Sequence, residues 1–250
     1  MRKILFTLAL LIACPSLTFA QGATQAVVVN SAPPASGGTT FSYVGPSSTA
    51  CAAASATCTY TYSPTNGNLV VAYITCRDST ASDPPTITTD NGSSTWTNLL
   101  ASGQQSGSDY YNEDYTLSVA GSPTTITAHC GASTTATTLV VGEYHRTSGS
   151  WVAGTVASQA NGTGTTATGN TVTPTSSVPA LIIGYFTDEN ASTGTWITAN
   201  TTIRINKGDT SGNSTLGAGD QIVSSATGTY AASATIASSV SWRCWTSWFK

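Results

Sequence analysis

Charged side chains are scarce in this chain, and their scarcity excludes several classes of function. Lys and Arg together number 8, Asp and Glu number 11, and the formal net charge at pH 7 is −3. A nucleic-acid-binding surface needs Lys and Arg clustered on one face, whereas the basic residues here are spread along the chain. Attraction to an anionic membrane needs the same clustering. We therefore expect no nucleic-acid partner and no electrostatic attachment to a membrane.

Motifs for metal-dependent and hydrolytic chemistry are missing as well. No Cys-x-x-Cys pair occurs, and His129 and His145 are the only histidines, which disfavours a zinc site. The Gly-x-Ser-x-Gly sequence around the nucleophile of α/β-hydrolases is also absent. After the N-terminal segment, no run approaches the ~20 apolar residues that a membrane-spanning helix needs. The sequence therefore predicts no transmembrane segment and no cofactor.

The N-terminal segment is typical of an export signal. Two basic residues, an apolar run and a small-residue cleavage site follow one another; they are Arg2 and Lys3, Ile4–Cys14, and Thr18-Phe19-Ala20. This pattern predicts a signal peptide at residues 1–20, cleavage before Gln21, and a secreted, extracellular protein of bacterial type. Residues 11–14 also fit a lipobox, so anchoring as a lipoprotein through Cys14 is the alternative.

The segment 67–76 gives the strongest secondary-structure signal. An Asn-Gly-Asn turn leads into β-branched and apolar residues. Alternate residues of a strand face opposite sides of a sheet, and here both sides are largely apolar. One side carries Val70, Ala72, Ile74 and Cys76, and the other carries Leu69, Val71, Tyr73 and Thr75. A strand with one solvated face would alternate between polar and apolar residues, so this pattern predicts a strand in the middle of a sheet.

The rest of the chain predicts further short strands. The hydrophobic fraction is 40%, with 6 Trp and 10 Tyr, which is enough for a core, and strong helix formers are scarce. Roughly a dozen strands joined by Gly, Pro, Ser and Asn turns are typical of a single antiparallel β-sandwich, jelly-roll-like and without substantial helix. We place this domain at residues 67–250, with residues 21–66 packed on it as a strand, a flexible connection and a cysteine-bearing insert. The last two predicted strands are Tyr230–Ile236 and Val240–Phe249, and the second is aromatic on both faces and therefore tied into the core.

The cysteines after the signal peptide are Cys51, Cys58, Cys76, Cys130 and Cys244. An exported protein favours disulfides. Cys51 and Cys58 bracket a loop of small residues, which a local bridge would close. Cys76 and Cys130 each end a predicted strand, which predicts a second bridge and leaves Cys244 as a buried thiol. Pairing of Cys244 with Cys76 is the open alternative.

Several of these strand sequences together resemble a known kind of domain. They are Gly67-Asn68-Leu69-Val70-Val71, Leu139-Val140-Val141-Gly142-Glu143-Tyr144, Leu216-Gly217-Ala218-Gly219-Asp220, Ser239-Val240-Ser241-Trp242 and the closing Phe249-Lys250. In this order they resemble an uncharacterised, jelly-roll-like β-sandwich domain of exported bacterial and phage proteins, often found beside fibronectin-type modules. The resemblance covers nearly the whole mature chain and implies a β-sandwich, but it implies no catalytic residues. The insert around Cys51 and Cys58 departs from the family pattern.

Candidate catalytic side chains are few. His145 follows Glu143 by two residues, so the two share a strand face, and we interpret them as a strand-end His beside a carboxylate at the sheet surface. A glycoside hydrolase needs two carboxylates facing each other across a cleft. The available carboxylates are Glu113, Asp114, Glu143, Asp188 and Glu189, and the two adjacent pairs point to opposite strand faces. A β-sandwich glycoside hydrolase is therefore a minor alternative, and no catalytic residue is predicted.

Calcium is the one metal that the sequence brings into consideration. Oxygen-rich turns occur at Asp90-Asn91-Gly92, at Asp188-Glu189-Asn190 and at Asp209 with Asn213. None has the full ligand spacing of a known calcium loop. We therefore interpret these residues as turn formers and predict no metal ligand.

Two classes of function fit a chain of low charge that is rich in Ser and Thr. The first is a binding module for a polysaccharide or a cell-surface glycan, which includes adhesion. The second is a structural subunit of an extracellular assembly or fibre, which would self-associate. For the binding module we select Tyr110, Tyr111 and Trp151, because each follows a turn or loop and aromatic rings stack on sugars without needing charge.

Overall fold

A computed structural model of the chain describes residues 39–45, 50–78, 85–91, 94–100, 104–106, 109–116, 119–132, 134–175, 179–188, 195–208, 215–224 and 228–250. At residues 50, 51, 78, 104–106 and 109–116 the backbone alone is described. The regular structure in these ranges is entirely β-strand, which confirms the all-β prediction. None of the described segments forms a helix that could span a membrane. The predicted signal peptide, with Cys14, lies outside these ranges.

The strands are numbered in chain order, and every pairing between them is antiparallel. They are β1 (Phe41–Gly45), β2 (Ala50–Ala53), β3 (Thr57–Thr61), β4 (Leu69–Asp78), β5 (Thr86–Thr89), β6 (Thr97–Asn98), β7 (Gln104–Ser106), β8 (Asp109–Thr116), β9 (Thr125–His129), β10 (Thr134–Arg146), β11 (Ala160–Thr168), β12 (Ala180–Asp188), β13 (Ile197–Thr198), β14 (Thr202–Gly208), β15 (Thr215–Val223) and β16 (Ser233–Phe249).

The seven-stranded sheet, called sheet A, has the order β1-β10-β4-β8-β6, with β2 also on β10 and β7 on β8. The predicted central strand is β4, and it lies between β10 and β8 as expected. Both of its faces are buried, because sheet A is covered on two sides. The prediction from two apolar faces is therefore confirmed.

The six-stranded sheet, called sheet C, has the order β11-β16-β12-β15-β14, with β13 also on β16. The predicted strands Tyr230–Ile236 and Val240–Phe249 are in fact one long strand, β16, preceded by a single bridge at Tyr230. The prediction that this segment is tied into the core is confirmed, because Trp245 and Phe249 are buried. The backbone of Lys250 also exchanges hydrogen bonds with Val152, at 2.6 and 2.9 Å.

The three-stranded sheet, called sheet B, has the order β3-β9-β5 and covers the face of sheet A that is turned away from sheet C. Ile126 and Ala128 of sheet B pack against Val70 and Ile74 of β4. Sheet B therefore explains why the second face of β4 is apolar.

Sheets A and C share the largest core cluster. Tyr73 of β4 and Tyr185 of β12 have ring centres 5.2 Å apart. Tyr185 also donates a hydrogen bond to the backbone oxygen of Ile74 at 3.0 Å and lies 3.0 Å from Thr75 Oγ1. The two sheets are thus joined by packing and by hydrogen bonds across the core.

Residues Gly37–Lys250 form one compact unit. β1 and β2 pair with β10 of sheet A, and β3 belongs to sheet B. The described part of the segment that we expected to pack on the domain therefore contributes strands to its sheets.

A disulfide joins Cys76 at the end of β4 to Cys130 after β9, with a Cα–Cα distance of 5.8 Å. This confirms the predicted bridge and excludes pairing of Cys76 with Cys244. Cys244 is a buried, reduced cysteine in β16. Cys58 is itself disulfide-bonded. The side chain of Cys51, its predicted partner, lies outside the described residues.

Candidate functional site

The three residues selected for ligand contact lie in different surroundings. Tyr110 and Tyr111 are in β8, opposite Cys76 and Thr75, and their side chains lie outside the described residues. Trp151 is only 7% exposed, and its ring stacks on Phe41 with the ring centres 5.2 Å apart. A ring covered in this way supports the core, so we do not carry Trp151 into the proposed site.

Glu143 lies in the interior, which corrects the expectation of a carboxylate at the sheet surface. Its side chain is 1% exposed on β10. It accepts hydrogen bonds from the Tyr62 hydroxyl, from the Thr65 backbone N–H at 2.9 Å and from the Asn68 amide. The connection from β3 to β4 supplies these donors and folds over the carboxylate. A local strand pattern cannot reveal such a cover.

His145 stays at the surface, and it meets Glu143 only indirectly. His145 Nδ1 is 3.1 Å from the Asn68 side-chain oxygen, while the amide nitrogen of Asn68 donates to Glu143. Asn68 thus orients both groups and separates the imidazole from the carboxylate. This arrangement positions the side chains but offers no direct proton transfer between them.

Three edge strands bring a group of aromatic and charged side chains together. In the strand orders above, β1 is an edge of sheet A, β3 an edge of sheet B and β14 an edge of sheet C. We call the group at this shared edge the edge cluster; it consists of Tyr43, Tyr60, Tyr62, Glu143, Tyr144, Arg204 and Asp220. Tyr43 is the central member, because the charges of Arg204, Asp220 and Glu143 all act on its pKa.

The aromatic part of the edge cluster is closely packed but not sealed. The rings of Tyr60 and Tyr62 are nearly parallel, with centres 5.8 Å apart. The rings of Tyr43 and Tyr144 are steeply inclined to each other, at 67°, with centres 5.4 Å apart. Tyr43, Tyr60 and Tyr62 are half-buried, whereas Tyr144 is 2% exposed. The cluster therefore presents three partly accessible rings on a buried support.

Arg204 and Asp220 form the ion pair of the edge cluster. Arg204 Nε and Nη2 donate to the two Asp220 oxygens at 2.7 and 2.9 Å, and the guanidinium carbon lies 4.9 Å from the centre of the Tyr43 ring. Asp220 is 2% exposed and Arg204 31% exposed. The two-point contact fixes the plane of the guanidinium. Nη1 donates to no residue in the described part of the chain, so this end of the group can bind a ligand.

Burial raises the pKa of three hydroxyls of the edge cluster, those of Tyr43, Tyr62 and Tyr144. It raises the pKa of Tyr62 above its ordinary value, and the hydrogen bond to Glu143 raises it further. Burial likewise raises the pKa of Tyr43, although the nearby Arg204 charge opposes the shift. The pKa of Tyr144 is raised by burial and by the nearby charge of Asp220. These three hydroxyls stay protonated near neutral pH and therefore act as hydrogen-bonding groups.

Among the candidate calcium ligands whose side chains the structure describes are Asp90 and Asp188. The Asp90 carboxylate caps the turn before β9, where it accepts the backbone N–H groups of Thr124 and Thr125 at 2.8 and 2.9 Å. Asp188 is buried and accepts the backbone N–H of Thr215 at 2.9 Å. Glu189, Asn190, Asp209 and Asn213 lie outside the described residues. Within the part that is described, no group of three or more His, Cys, Asp or Glu side chains could hold a metal ion.

Comparison of the chain with known protein families, with curated proteins and with solved structures finds no match in any of the three. The interpretation of the edge cluster therefore comes from its geometry and its chemistry.

Sequence reasoning missed the edge cluster because its members are far apart in the chain. One signal was present: Phe41-Ser42-Tyr43-Val44 and Cys58-Thr59-Tyr60-Thr61-Tyr62 alternate aromatic and small residues, which is the pattern of half-buried strands. That pattern places Tyr60 and Tyr62 on one strand face. It cannot show that this face meets Glu143 or lies near Arg204.

Proposed function

We propose that this chain is an exported, non-enzymatic β-sandwich protein that binds a neutral polysaccharide or cell-surface glycan through the edge cluster. The sandwich arrangement is supported by the core that sheets A and C share. Export is supported by the signal-like N-terminus and by the Cys76–Cys130 disulfide, which is typical of oxidising compartments.

One observation carries the binding proposal: the half-buried ring of Tyr43 lies under the Arg204 guanidinium, whose Nη1 group has no acceptor among the described residues, and the half-buried, stacked rings of Tyr60 and Tyr62 belong to the same cluster. Tyrosine rings stack on the C–H faces of sugars, and the guanidinium donates to hydroxyl oxygens. The buried carboxylates of Glu143 and Asp220 hold these groups in place before a ligand arrives, which lowers the entropy cost of binding. Since the cluster holds two carboxylates and one cation, it favours a neutral ligand over an acidic one.

The burial of both carboxylates argues for binding and against glycoside hydrolysis. Glu143 is 1% and Asp220 2% exposed, and each carboxylate is occupied by several hydrogen-bond donors. A glycosidase needs one carboxyl group that reaches the leaving oxygen and a second that reaches the sugar ring or a water. In the edge cluster Tyr43, Tyr60 and Tyr62 are partly accessible, whereas the two carboxylates are buried.

The test is retention of the mature protein on insoluble polysaccharides and on a glycan array. Tyr60→Ala is the informative variant, because the Tyr60 hydroxyl makes no hydrogen bond to a described residue and its loss spares the Glu143 contacts. We expect at least tenfold weaker retention, measured well below the melting temperature of the variant, which should fall slightly because Tyr60 also packs against the core. Tyr230→Ala, at a half-buried tyrosine of the Val172 bridge, is the matched control and should bind as the wild type does.

Two results would overturn the proposal. Wild-type protein that is retained on no glycan excludes binding, and Tyr60→Ala protein that binds normally excludes the edge cluster as the site. In the second case, single Ala substitutions at Tyr110 and Tyr111 identify whether β8 provides the contact.

An assembly subunit is the second candidate, and β11 is the observation that favours it. β11 is an edge strand of sheet C that pairs only with β16 in the described part of the chain, and its nine residues include no charge and no proline. Charged side chains and proline, which hinder the pairing of an edge with another chain, are therefore missing from β11, and its one irregularity is a register shift between Gly164 and Thr166. Sedimentation at increasing concentration should show large species that a Thr163→Lys substitution abolishes, because Thr163 is exposed in β11. A monomer at all concentrations excludes this role.

A further inference from the structure

Every strand pairing in the described part of the chain stays within one of two halves. We call β1–β10 the first half, and residues 151–154 with β11–β16 the second half. Sheets A and B contain only strands of the first half, and sheet C contains only strands of the second. The exposed connection 147–150 is therefore a boundary between two separate sets of strands.

The two halves have the same strand arrangement. The central strand β4 lies between β10 and β8, and the central strand β12 lies between β16 and β15. Residues 69–75 read Leu-Val-Val-Ala-Tyr-Ile-Thr and residues 181–187 read Leu-Ile-Ile-Gly-Tyr-Phe-Thr, so Leu, Tyr and Thr recur at the same places. The outer strands also correspond, because β9 pairs with β3 and β5, while the first part of β16 pairs with the end of β11 and with β13.

The register of the central pairs is equivalent as well. Leu69 of β4 lies opposite Tyr144 of β10, and its counterpart Leu181 of β12 lies opposite Phe249 of β16. Both ladders are antiparallel and run from these pairs without a shift through the matching residues of the two central strands. Each residue of one ladder therefore has a defined counterpart in the other.

The correspondence includes the segment that leads into each half. Ser42 of β1 lies opposite His145, the residue after Tyr144. Val152 and Lys250 exchange two backbone hydrogen bonds, at 2.6 and 2.9 Å, so they also lie opposite each other, and Lys250 follows Phe249. The residues immediately before Ser42 and Val152 are therefore counterparts too.

Counterparts from the two halves meet in the core that sheets A and C share. Tyr73 and Tyr185 are counterparts, and their ring centres are 5.2 Å apart. Phe41 and Trp151 are counterparts, and their rings stack with centres 5.2 Å apart. In a dimer with a twofold axis, a residue near the axis contacts its own equivalent in the partner. The two aromatic pairs thus mark an approximate twofold axis between the halves.

We propose that the two halves are copies of one folding unit, and that the surface between sheets A and C is a dimer interface whose two partners are joined in one chain. The partner that fits the inner face of sheet A is thus a second copy of the same unit. The edge cluster then lies across this interface, since Tyr43 and Glu143 belong to the first half and Arg204 and Asp220 to the second. The proposal concerns folding and association, so it does not rest on glycan binding.

Exchange of side chains across the axis tests the equivalence. Phe41→Trp and Trp151→Phe each change the volume at one position, so each should lower the melting temperature. The double variant only exchanges the side chains of two equivalent positions and should regain at least half of the summed loss. Phe186 and Trp196 are the matched control, because their rings are also close, with centres 5.8 Å apart, but are not counterparts. Their exchange should regain less, because Trp196 Nε1 donates to the Thr215 backbone oxygen.

Cleavage of the connection tests the interface. A protease site is inserted at 147–150 in the full-length chain, and the purified protein is then cleaved. The two halves should remain together in gel filtration and refold together from urea, because their interface is that of a dimer. The matched control carries the same site at the exposed turn Gly121-Ser122, which leads from β8 to β9 inside the first half. Cleavage there divides one folding unit and should lower the melting temperature more.

Two results would overturn the proposal. One is an exchange of Phe41 and Trp151 that regains no more stability than the exchange of Phe186 and Trp196. The other is cleavage at 147–150 that separates the halves or lowers the melting temperature as much as cleavage at 121–122. Failure of the wild type to bind any glycan would overturn the proposed function and leave these results unchanged.

Discussion

Glu143 and Asp220 are two buried carboxylates of one cluster that the chain stabilises in different ways. Asp220 is 2% exposed and receives two hydrogen bonds from the Arg204 guanidinium. Glu143 is 1% exposed, and the donors it meets are a tyrosine hydroxyl, a backbone N–H and an asparagine amide, all uncharged. A buried carboxylate can thus be satisfied by an opposite charge or by several dipoles.

The two solutions differ in what happens when a partner is lost. Removing the cation of a charge pair causes a large loss of stability, because it leaves a buried anion without compensation. Removing one of several neutral donors causes a smaller loss, because each remaining donor still contributes its own hydrogen bond. The predictions below test this difference.

The largest effect is expected for Arg204→Ala. It leaves Asp220 buried without its cation, which costs about 3–5 kcal/mol of unfolding free energy. Asp220→Asn should cost less, because Arg204 is 31% exposed and its charge can turn toward water. Urea denaturation of both variants measures the difference. Equal losses, or a larger loss for Asp220→Asn, would show that the pair does not limit stability in this way.

Glu143→Ala should destabilise by about 2–3 kcal/mol, because its donors lose their acceptor but two of them are only part-buried. Glu143→Gln keeps one carbonyl oxygen and should cost about 1 kcal/mol. The same urea titration checks both. If Gln is as harmful as Ala, the negative charge itself is required and the contrast with Asp220 disappears.

A smaller effect is expected from alkaline pH. Burial, and then the hydrogen bond to Glu143, raises the pKa of Tyr62 above that of an unfolded tyrosine, which is about 10. The raised pKa contributes stability that is fully present below pH ~10 and is lost as pH rises further. The melting temperature of the wild type should therefore fall above pH ~10, and that of Tyr62→Phe should fall less steeply. Parallel pH profiles would remove Tyr62 as the cause.

The smallest effect is expected for Asp90, a carboxylate that is also held by uncharged donors but is exposed to solvent. Its hydrogen bonds from the Thr124 side chain and from the Thr125 and Thr124 backbones lower its pKa below the ordinary value. A lowered pKa contributes stability above the unfolded pKa of ~4, and this stability is lost as pH falls below it. Asp90→Asn should therefore lower the melting temperature slightly at pH 7, and the difference from wild type should shrink toward pH 2. A difference that is constant with pH would contradict this account.

The sequence predicted those features that a single strand displays. The two apolar faces of β4 predicted a strand in the middle of a sheet, and the strand-end positions of Cys76 and Cys130 predicted their disulfide; the structure confirms both. It could not predict where strand faces meet. The small residues of Ala237-Ser238-Ser239 predict a break between two strands, yet β16 runs through them. Its register with β11 shifts at this place, since Thr235 pairs with Thr166 and Val240 with Gly164. The edge cluster escaped prediction for the same reason, since the stacking of three sheets is not encoded in local periodicity.

The position of β16 also bears on how the chain folds. β16 lies between β11 and β12 and also pairs with β13, and all three precede it in the chain. During synthesis, these strands emerge before the partner that completes their hydrogen bonding. All residues of β12 are buried in the final fold. Until β16 pairs with it, β12 is therefore an exposed apolar edge that can pair with other chains. We expect refolding to be slow and to aggregate at high protein concentration, because sheet C closes only through contacts that are distant in sequence.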